Sequence, residues 1–163
     1  MELGKIPFFP EWHYNFRMSK KDKQHCVFCK VLKGELEASV VYEDDEVLAF
    51  MDINPVNEGH VLIIPRDHVS HMNDLDDALL GHMAKIAGMI AKAIRRSAIR
   101  CEGMNLFLAD DEVAGQEVFH AHLHVFPRFK DDGFGLKHDP QKNFLHPPRE
   151  RLNELATILK RHL

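Results

Sequence analysis

The chain has 163 residues, which suffices for one domain of ordinary size that buries a core without disulfides. Its 21 Lys and Arg residues against 25 Asp and Glu give a formal net charge of -4, which excludes the net basic field that attracts nucleic acid polymers. Because there is no apolar run of signal-peptide or membrane-span length and only three cysteines, we expect a cytoplasmic protein with no membrane partner.

The chain divides by composition into three parts. Residues 1–24 mix aromatic, proline and charged residues without a period, which indicates an N-terminal extension that packs loosely or against a partner chain. Residues 25–130 hold the regular hydrophobic patterns and form the predicted domain core. Residues 131–163 are predicted to complete the same domain with a loop and a C-terminal helix.

Hydrophobic patterns predict five strands and two helices. The strands are expected at residues 40–42, 47–50, 60–65, 104–108 and 118–126. Helical spacing predicts one long helix from Asp74 to about Ser97, capped by Asn73 or Asp74, between the third and fourth strands. A last amphipathic helix is expected from about Arg149 to Arg161. The short loops between most strands favour antiparallel pairing and an α+β fold.

The fifth predicted strand carries histidines at three alternate positions, His120, His122 and His124. Alternate side chains of a strand share one face, so the three imidazoles are expected on one side of the sheet. A neutral imidazole is a nucleophile, a proton shuttle or a metal ligand near neutral pH. The run therefore predicts a functional site, and one interpretation is that all three histidines bind a catalytic metal ion.

A pair of cysteines, Cys26 and Cys29, has the spacing that lets two thiolates share one tetrahedral metal ion. A reducing compartment favours zinc over a disulfide. Two ordinary thiols are an alternative, and a redox pair is less favoured because no βαβ pattern surrounds the motif. Cys101 has no partner in view and is expected to be a buried small apolar residue.

Together, these motifs resemble the histidine triad (HIT) family of nucleotide hydrolases and transferases, in its zinc-containing Cys-x-x-Cys branch of bacterial-type hydrolases. The matching motifs are the alternating histidines followed by Val125-Phe126, the Gly115-Gln116 turn, Gly59-His60 at the third strand, and the cysteine pair. The resemblance implies a HIT-like fold, with a five-stranded antiparallel sheet, one long helix and a C-terminal helix. It also implies a homodimer.

The resemblance implies a covalent mechanism. His122 would attack the α-phosphate of a nucleoside phosphoramidate or a dinucleoside polyphosphate, forming a nucleotidyl-histidine and releasing a nucleoside monophosphate. His124 would donate to the leaving group, and His60 would orient the nucleophile. Imidazole suits this role because it attacks while neutral and leaves readily when water arrives. The sequence leaves the two substrate classes open.

For the nucleotide itself, the resemblance implies a set of contacts. Asp52 would hold the ribose hydroxyls, and Phe50 and Ile53 would flank the base. Backbone amides at Gly115 and Gln116, with the Gln116 side chain, would hold phosphate oxygens. The expected substrate is a purine nucleotide, and adenine is an expectation from the family alone.

The resemblance also implies a structural zinc ion. Its ligands would be Cys26, Cys29, His68 and His120, a closed Cys2His2 site that stabilises rather than catalyses. His71, three residues past His68, is the rival ligand.

Two positions depart from the family pattern. Glu117 stands three places before the first triad histidine, where family members commonly have a hydroxyl residue near the leaving group. Ala109 stands where they commonly have Asn or Gln at the end of the fourth strand. A carboxylate repels phosphate or takes a proton or cation, so leaving-group preference and phosphate binding are expected to differ. The alternative function is a low-turnover nucleotide-binding or protein-interaction module with a structural zinc.

Overall fold

A computed structural model of the chain describes residues 23–135 and 147–163. The chain divides into two units, with the boundary between Asp132 and Gly133. Most of the predicted N-terminal extension, residues 1–22, lies outside the described residues. The assignment of residues 131–163 to the same domain as the core stays a prediction.

The first unit is built on a five-stranded antiparallel sheet. Its strands are β1 (Val40–Glu43), β2 (Val47–Met51), β3 (Val61–Pro65), β4 (Gly103–Phe107) and β5 (Leu123–Arg128). They lie in the order β1-β2-β3-β5-β4, and every neighbouring pair is antiparallel. The predicted α+β fold with this sheet is confirmed.

The fifth strand begins later than predicted, at Leu123 instead of residue 118. The backbone before it bonds to the loop after β3, where the Ala121 N–H donates to the Val69 carbonyl at 2.6 Å. Alternation of the side chains nevertheless continues through this irregular segment. Ala121 and Val125 face one side of the sheet, whereas His122 contacts Phe28 on the other.

Among the described residues of the first unit, two α-helices are present, α1 (Val27–Leu32) and α2 (Asp77–Arg96). The sequence patterns missed α1, which has only six residues. The predicted start of α2 at Asp74 is wrong, because a separate 3-10 turn occupies Met72–Asp74. The helix begins instead after Asp76, whose carboxylate caps it by accepting the Ala78 N–H at 2.8 Å.

The second unit contains α3 (Arg149–Lys160), which confirms the predicted C-terminal helix. Its apolar residues, including Leu152, Leu155 and Leu159, are exposed. In the two described stretches of the chain, no helix combines the length and the apolarity needed to cross a membrane.

Each face of the sheet packs against a different helix. The apolar stripe of α2, with Met83, Ile86 and Ile90, covers the face that carries Val61 and Ile63. The other face packs against α1 and its flanking cysteines through these residues: Cys26, Phe28, Cys29, Leu48, Phe50, Leu62 and Ile64. His120 and His122 contact Phe28 of this second group, so α1 forms one wall of the region that these two histidines occupy.

Gly59 sets the approach of the chain to β3 and so positions His60. Its φ of +92° lies in the left-handed region that disfavours L side chains. A Cβ at this position would also come within 3.0 Å of Ile99 Cγ2. Glycine is therefore required here both by the backbone conformation and by the close approach of Ile99.

The turn between β1 and β2 is held by the carboxylate of Asp44. Its Oδ1 accepts the backbone N–H groups of Glu46 and Val47, and its Oδ2 lies 2.8 Å from Tyr42 Oη and 2.7 Å from His82 Nε2. Burial raises the pKa of Asp44, but these hydrogen bonds outweigh it and hold that pKa well below its ordinary value of 3.8.

Asp44→Asn is expected to lower the free energy of unfolding by about 1–3 kcal/mol, because the amide nitrogen cannot accept from Tyr42 or His82. The pKa of Asp44 is depressed in the folded state, so its contribution is present above about pH 4 and is lost as the pH falls below that value. Urea denaturation at pH 7 and at pH 3 measures this. An equal difference between wild type and variant at both pH values would contradict the assignment.

Candidate active site and metal centre

His60, which directly precedes β3, forms a direct hydrogen bond with His124 of β5. His60 Nε2 and His124 Nδ1 are 2.9 Å apart, and the Val56 N–H donates to His60 Nδ1 at 3.1 Å. Because an amide N–H can only donate, His60 carries its proton on Nε2 and donates it to His124 Nδ1. His124 therefore carries its own proton on Nε2.

Burial keeps both rings of this pair neutral. It lowers the pKa of His124 to about 3, with the nearby imidazoles of His122 and His60 acting in the same direction. Burial also lowers the pKa of His60, against the opposing effect of the Asp52 carboxylate. Near neutral pH, His124 is thus a neutral N–H donor whose opposite nitrogen already holds a hydrogen bond.

His122 has the complementary tautomer. Its Nδ1 lies 2.7 Å from the backbone carbonyl of His120, which can only accept, so the proton is on Nδ1. Nε2 is then the nitrogen with the lone pair. The ring is 5% exposed and packs 5.2 Å from Phe28 and 4.8 Å from His124, between ring centroids. Burial lowers the pKa of His122, so this nitrogen is available as a nucleophile near neutral pH.

Asp52 lies behind the histidine pair. Its Oδ2 is 3.4 Å from His60 Nδ1, and its Oδ1 accepts the Asn54 N–H at 2.9 Å. The side chain is 14% exposed, so an edge of the carboxylate remains accessible. The predicted contact with ribose hydroxyls stays a prediction, and the structure adds a contact with His60 that the sequence did not reveal.

The two residues predicted to flank the base differ in their surroundings. Phe50 is buried and packs edge-to-face against Phe28, with ring centroids 5.7 Å apart. Ile53 is 87% exposed. Phe28 itself was not singled out from the sequence, although its ring contacts Phe50, His120 and His122. Its position between the two cysteines was the signal that could have drawn attention to it.

Gly115 and Gln116 build the turn before the histidine segment. The Gly115 N–H donates to Glu112 O at 2.9 Å, and the Gln116 N–H donates to Asp111 O at 3.1 Å. The Gln116 side chain is buried, donates to Ser70 O at 2.7 Å, and accepts the Asp111 N–H at 2.8 Å. Their predicted contact with phosphate stays a prediction, and it requires exchange of hydrogen bonds that this turn already makes.

The four predicted metal ligands lie together. One ligand atom from each of Cys26, Cys29, His68 and His120 can be chosen so that all lie within 4.8 Å of one another. His68 Nδ1 is 3.2 Å from Cys29 Sγ, and His120 Nδ1 is 3.5 Å from Cys26 Sγ. Two sulfur and two imidazole ligands are a set that zinc prefers, so the residues fit such an ion.

The protonation pattern of this cluster also suits a cation. His120 Nε2 donates to the Pro65 carbonyl at 2.9 Å, which leaves the lone pair of Nδ1 directed at the sulfur atoms. Burial and the neighbouring Cys26 thiol raise the pKa of Cys29 to about 11. A bound cation would take the place of these thiol protons.

His71 is not part of this cluster. Its Nδ1 lies 3.0 Å from the Asp110 carboxylate instead. The other grouping that offers metal ligands within the described part of the chain is Asp52, His60 and His124, and His122 belongs to neither grouping. The structure therefore gives no support to a single catalytic ion held by all three triad histidines.

Comparison with known proteins agrees with this architecture. Residues 33–131 match the model of the HIT domain. An uncharacterized HIT-like protein of Borreliella burgdorferi is 44% identical over 132 residues, covering 80% of this chain and 93% of that protein. The adenylylsulfatase HINT3 of Arabidopsis thaliana is 33% identical over 138 residues, covering 85% of this chain and 69% of that protein.

Solved structures show the same fold. A HIT family protein from Bacillus anthracis matches with a TM-score of 0.76 and 36% identity, covering 86% of this chain and 98% of that chain. A zinc-bound histidine triad family protein from Mycobacterium smegmatis matches with a TM-score of 0.66 and 37% identity, covering 72% of this chain and 85% of that chain.

Proposed function

Because this chain belongs to the HIT domain family, we propose that it is a nucleotide hydrolase or transferase that works through a nucleotidyl-histidine intermediate on His122. Its substrate is a nucleoside phosphoramidate or a dinucleoside polyphosphate, and its product is a nucleoside monophosphate. The observation that carries this proposal is a pair of tautomers: His122 has its lone pair on Nε2 and His124 has its proton on Nε2, in two rings whose centroids lie 4.8 Å apart. The adenylylsulfatase among the relatives supports hydrolysis as the kind of reaction.

The first step is a displacement at the α-phosphorus. The Nε2 lone pair of His122 forms the new P–N bond while the bond from phosphorus to the leaving group breaks. The Nε2–H of His124 donates a hydrogen bond to the leaving atom and keeps its proton, and the hydrogen bond from His60 fixes the orientation of that ring. A polyphosphate leaves as an anion, whereas the nitrogen of a phosphoramidate takes its proton from solvent. The carbonyl of His120 stabilises the positive charge that develops on His122 Nδ1–H.

The second step restores the enzyme. Water attacks the α-phosphorus and loses one proton to solvent. The P–N bond breaks, the electron pair returns to His122 Nε2, and the nucleoside monophosphate is released. A transferase reaction differs only in that another hydroxyl takes the place of water. Burial lowers the pKa values of His122 and His124, so near pH 7 His122 can attack phosphorus as a neutral imidazole and His124 can donate its N–H.

The remaining contacts of the substrate belong to the same proposal. Asp52 accepts from the ribose hydroxyls, Phe50 and Ile53 flank a purine, expected to be adenine, and the Gly115-Gln116 turn approaches the phosphate. The metal held by the Cys26 cluster is zinc, which supplies structural stability rather than a reacting group. Its thiolate ligands suit the reducing cytoplasm.

The experiment that tests the function is steady-state hydrolysis of adenosine 5'-phosphoramidate and of diadenosine tetraphosphate by the wild-type chain. Release of AMP from either substrate, saturable in substrate concentration, is expected. The ratio of the two kcat/KM values identifies the substrate class. Tight AMP binding without turnover of either compound would contradict the hydrolase.

A low-turnover nucleotide-binding module is the second candidate, and particular residues favour it. Ala109 is 2% exposed and offers no polar group, and the neighbouring Asp110 lies 3.0 Å from His71 Nδ1. Glu117 is exposed and places a carboxylate near the histidine segment. Glu117→Ser is therefore expected to raise turnover of a polyphosphate substrate if electrostatic repulsion limits it.

We expect the chain to form a homodimer through the free side of β4. This strand lies at the edge of the sheet, and Leu106 and Phe107 on it are 53% and 43% exposed. Leu106→Lys is expected to shift the mass measured by light scattering from dimer to monomer. Val41→Lys, on the opposite edge strand, is the matched control and is expected to remain a dimer. A monomeric wild type would contradict this expectation.

A further inference from the structure

We propose that His120 is a positioning residue, through which a metal ion at the Cys26, Cys29, His68 and His120 cluster sets the orientation of His122. The ion would then control the rate of the chemical step as well as the stability of the fold. This inference rests on the proposed function, because it takes His122 as the nucleophile.

His120 contacts both the metal-ligand cluster, through its side chain, and His122, through its backbone carbonyl. The His120 side chain faces the two sulfur atoms through Nδ1, at 3.5 and 3.7 Å, and is fixed behind by the Pro65 carbonyl. Its backbone carbonyl accepts the Nδ1 proton of His122 at 2.7 Å. The position of the first ring therefore fixes the acceptor that determines which nitrogen of the second ring carries the proton.

The sheet does not hold this part of the backbone. Ladder pairing of β5 begins at Leu123, so the carbonyl of His120 lies outside it. The segment is held instead by the loop after β3, to which Gln116, Phe119 and Ala121 bond through these contacts: Gln116 Nε2 to Ser70 O, Ser70 Oγ to Phe119 O, and Ala121 N to Val69 O. The same loop supplies the ligand His68. Loss of the metal would thus loosen the loop and the segment together.

A second link runs through α1. Phe28 lies between the two cysteine ligands in the sequence, and its ring packs against His122 with centroids 5.2 Å apart. An ion shared by Cys26 and Cys29 would hold this ring against one side of His122, while the carbonyl of His120 holds the other. Two of the groups that contact the nucleophile, the Phe28 ring and the His120 carbonyl, therefore belong to the ligand-bearing segments, whereas the third, His124, does not.

The test compares His120→Ala with His120→Cys, each prepared with one equivalent of Zn²⁺. Both variants lose the imidazole and its bond to Pro65, but only the cysteine restores a fourth ligand. Histidine-specific ¹⁵N NMR reads the tautomer of His122. We expect a single Nδ1–H tautomer in wild type and His120→Cys, and a mixture in His120→Ala. Loss of a group that orients a metal site typically lowers activity or metal affinity roughly 10–100-fold. We expect kcat to fall by that factor in His120→Ala, with KM changed less than about threefold.

Controls separate positioning from stability. Circular dichroism confirms that each variant is folded at the assay temperature, and Asp44→Asn supplies a destabilised chain whose substitution lies outside the site. We expect Asp44→Asn to keep the wild-type kcat and the His122 tautomer. Stripping zinc from the wild type with a chelator is expected to reproduce the His120→Ala spectrum.

The NMR result tests the orientation of His122 separately from the proposed hydrolase activity. Identical His122 tautomers in the three zinc-loaded chains would overturn the inference, whatever their activity. An unchanged tautomer in the folded, zinc-stripped wild type would overturn it as well. If wild type hydrolyses neither nucleotide, the proposed function fails, while the NMR comparison still decides whether the metal cluster orients His122.

Discussion

Replacing His122 by alanine is expected to lower kcat for nucleotide hydrolysis by roughly three to six orders of magnitude, the scale seen when an enzyme loses its nucleophile. The Nε2 of His122 is the lone-pair nitrogen of a buried, neutral ring, and no covalent intermediate forms without it. His124 cannot replace it, because its Nδ1 lone pair accepts from His60 and its other nitrogen carries the proton. The measurement is AMP release under saturating substrate.

Two controls make this result specific. His82→Ala removes a histidine that bonds Asp44 on the other face of the sheet, and we expect turnover near that of wild type despite some loss of stability. AMP affinity of His122→Ala should stay within a few-fold of wild type, since the variant retains the rest of the site. Wild-type turnover in a folded His122→Ala chain would exclude His122 as the nucleophile.

Loss of the metal is expected to produce the largest change in stability. Cys29→Ser removes a buried ligand from the Cys26, Cys29, His68 and His120 cluster, which joins α1, the loop after β3 and the histidine segment. Structural zinc contributes several kcal/mol to folding, so the melting temperature should fall by about 10 °C or more. Thermal unfolding with and without a chelator, together with metal analysis, measures this change.

Cys101→Ser is the matched control for this experiment. Cys101 lies outside the cluster, and its Sγ donates to the Gly103 carbonyl, a bond that serine can also make. We expect one zinc ion per chain in wild type, in Cys101→Ser and in His122→Ala, and a lower content in Cys29→Ser. Loss of metal on His122→Ala would instead indicate a catalytic ion bound by the triad.

Much of the fold could be predicted because its strands carry clear hydrophobic patterns and α2 carries a long apolar stripe. The start of β5 could not, because residues 118–122 keep a strand-like alternation while their backbone bonds to a loop. Helix α1 is too short for its period to be read. Its N-cap is the Cys26 sulfur, which accepts the Cys29 N–H. From the sequence, this cysteine is interpreted as a metal ligand, so its capping role is not predicted.

The candidate site was predictable in its residue types and less so in its contacts. Alternation placed the triad on one face, but the bond between His60 and His124 joins residues 64 positions apart, which no local pattern reveals. Spacing alone could not separate His68 from His71, and the structure does so by pairing His71 with Asp110. The buried bonds of Gln116 depend on a loop that is distant in the sequence, so they too required the structure.

The covalent nucleotidyl-histidine on His122 can be detected by mass spectrometry of a rapidly quenched reaction. Wild type is mixed with excess adenosine 5'-phosphoramidate or diadenosine tetraphosphate and quenched in alkali, in which a P–N bond on histidine persists. We expect one added adenylyl group per chain, located by peptide mapping at His122 and absent from His122→Ala. An adduct on another residue, or AMP production in which neither substrate leaves an adduct, would contradict it.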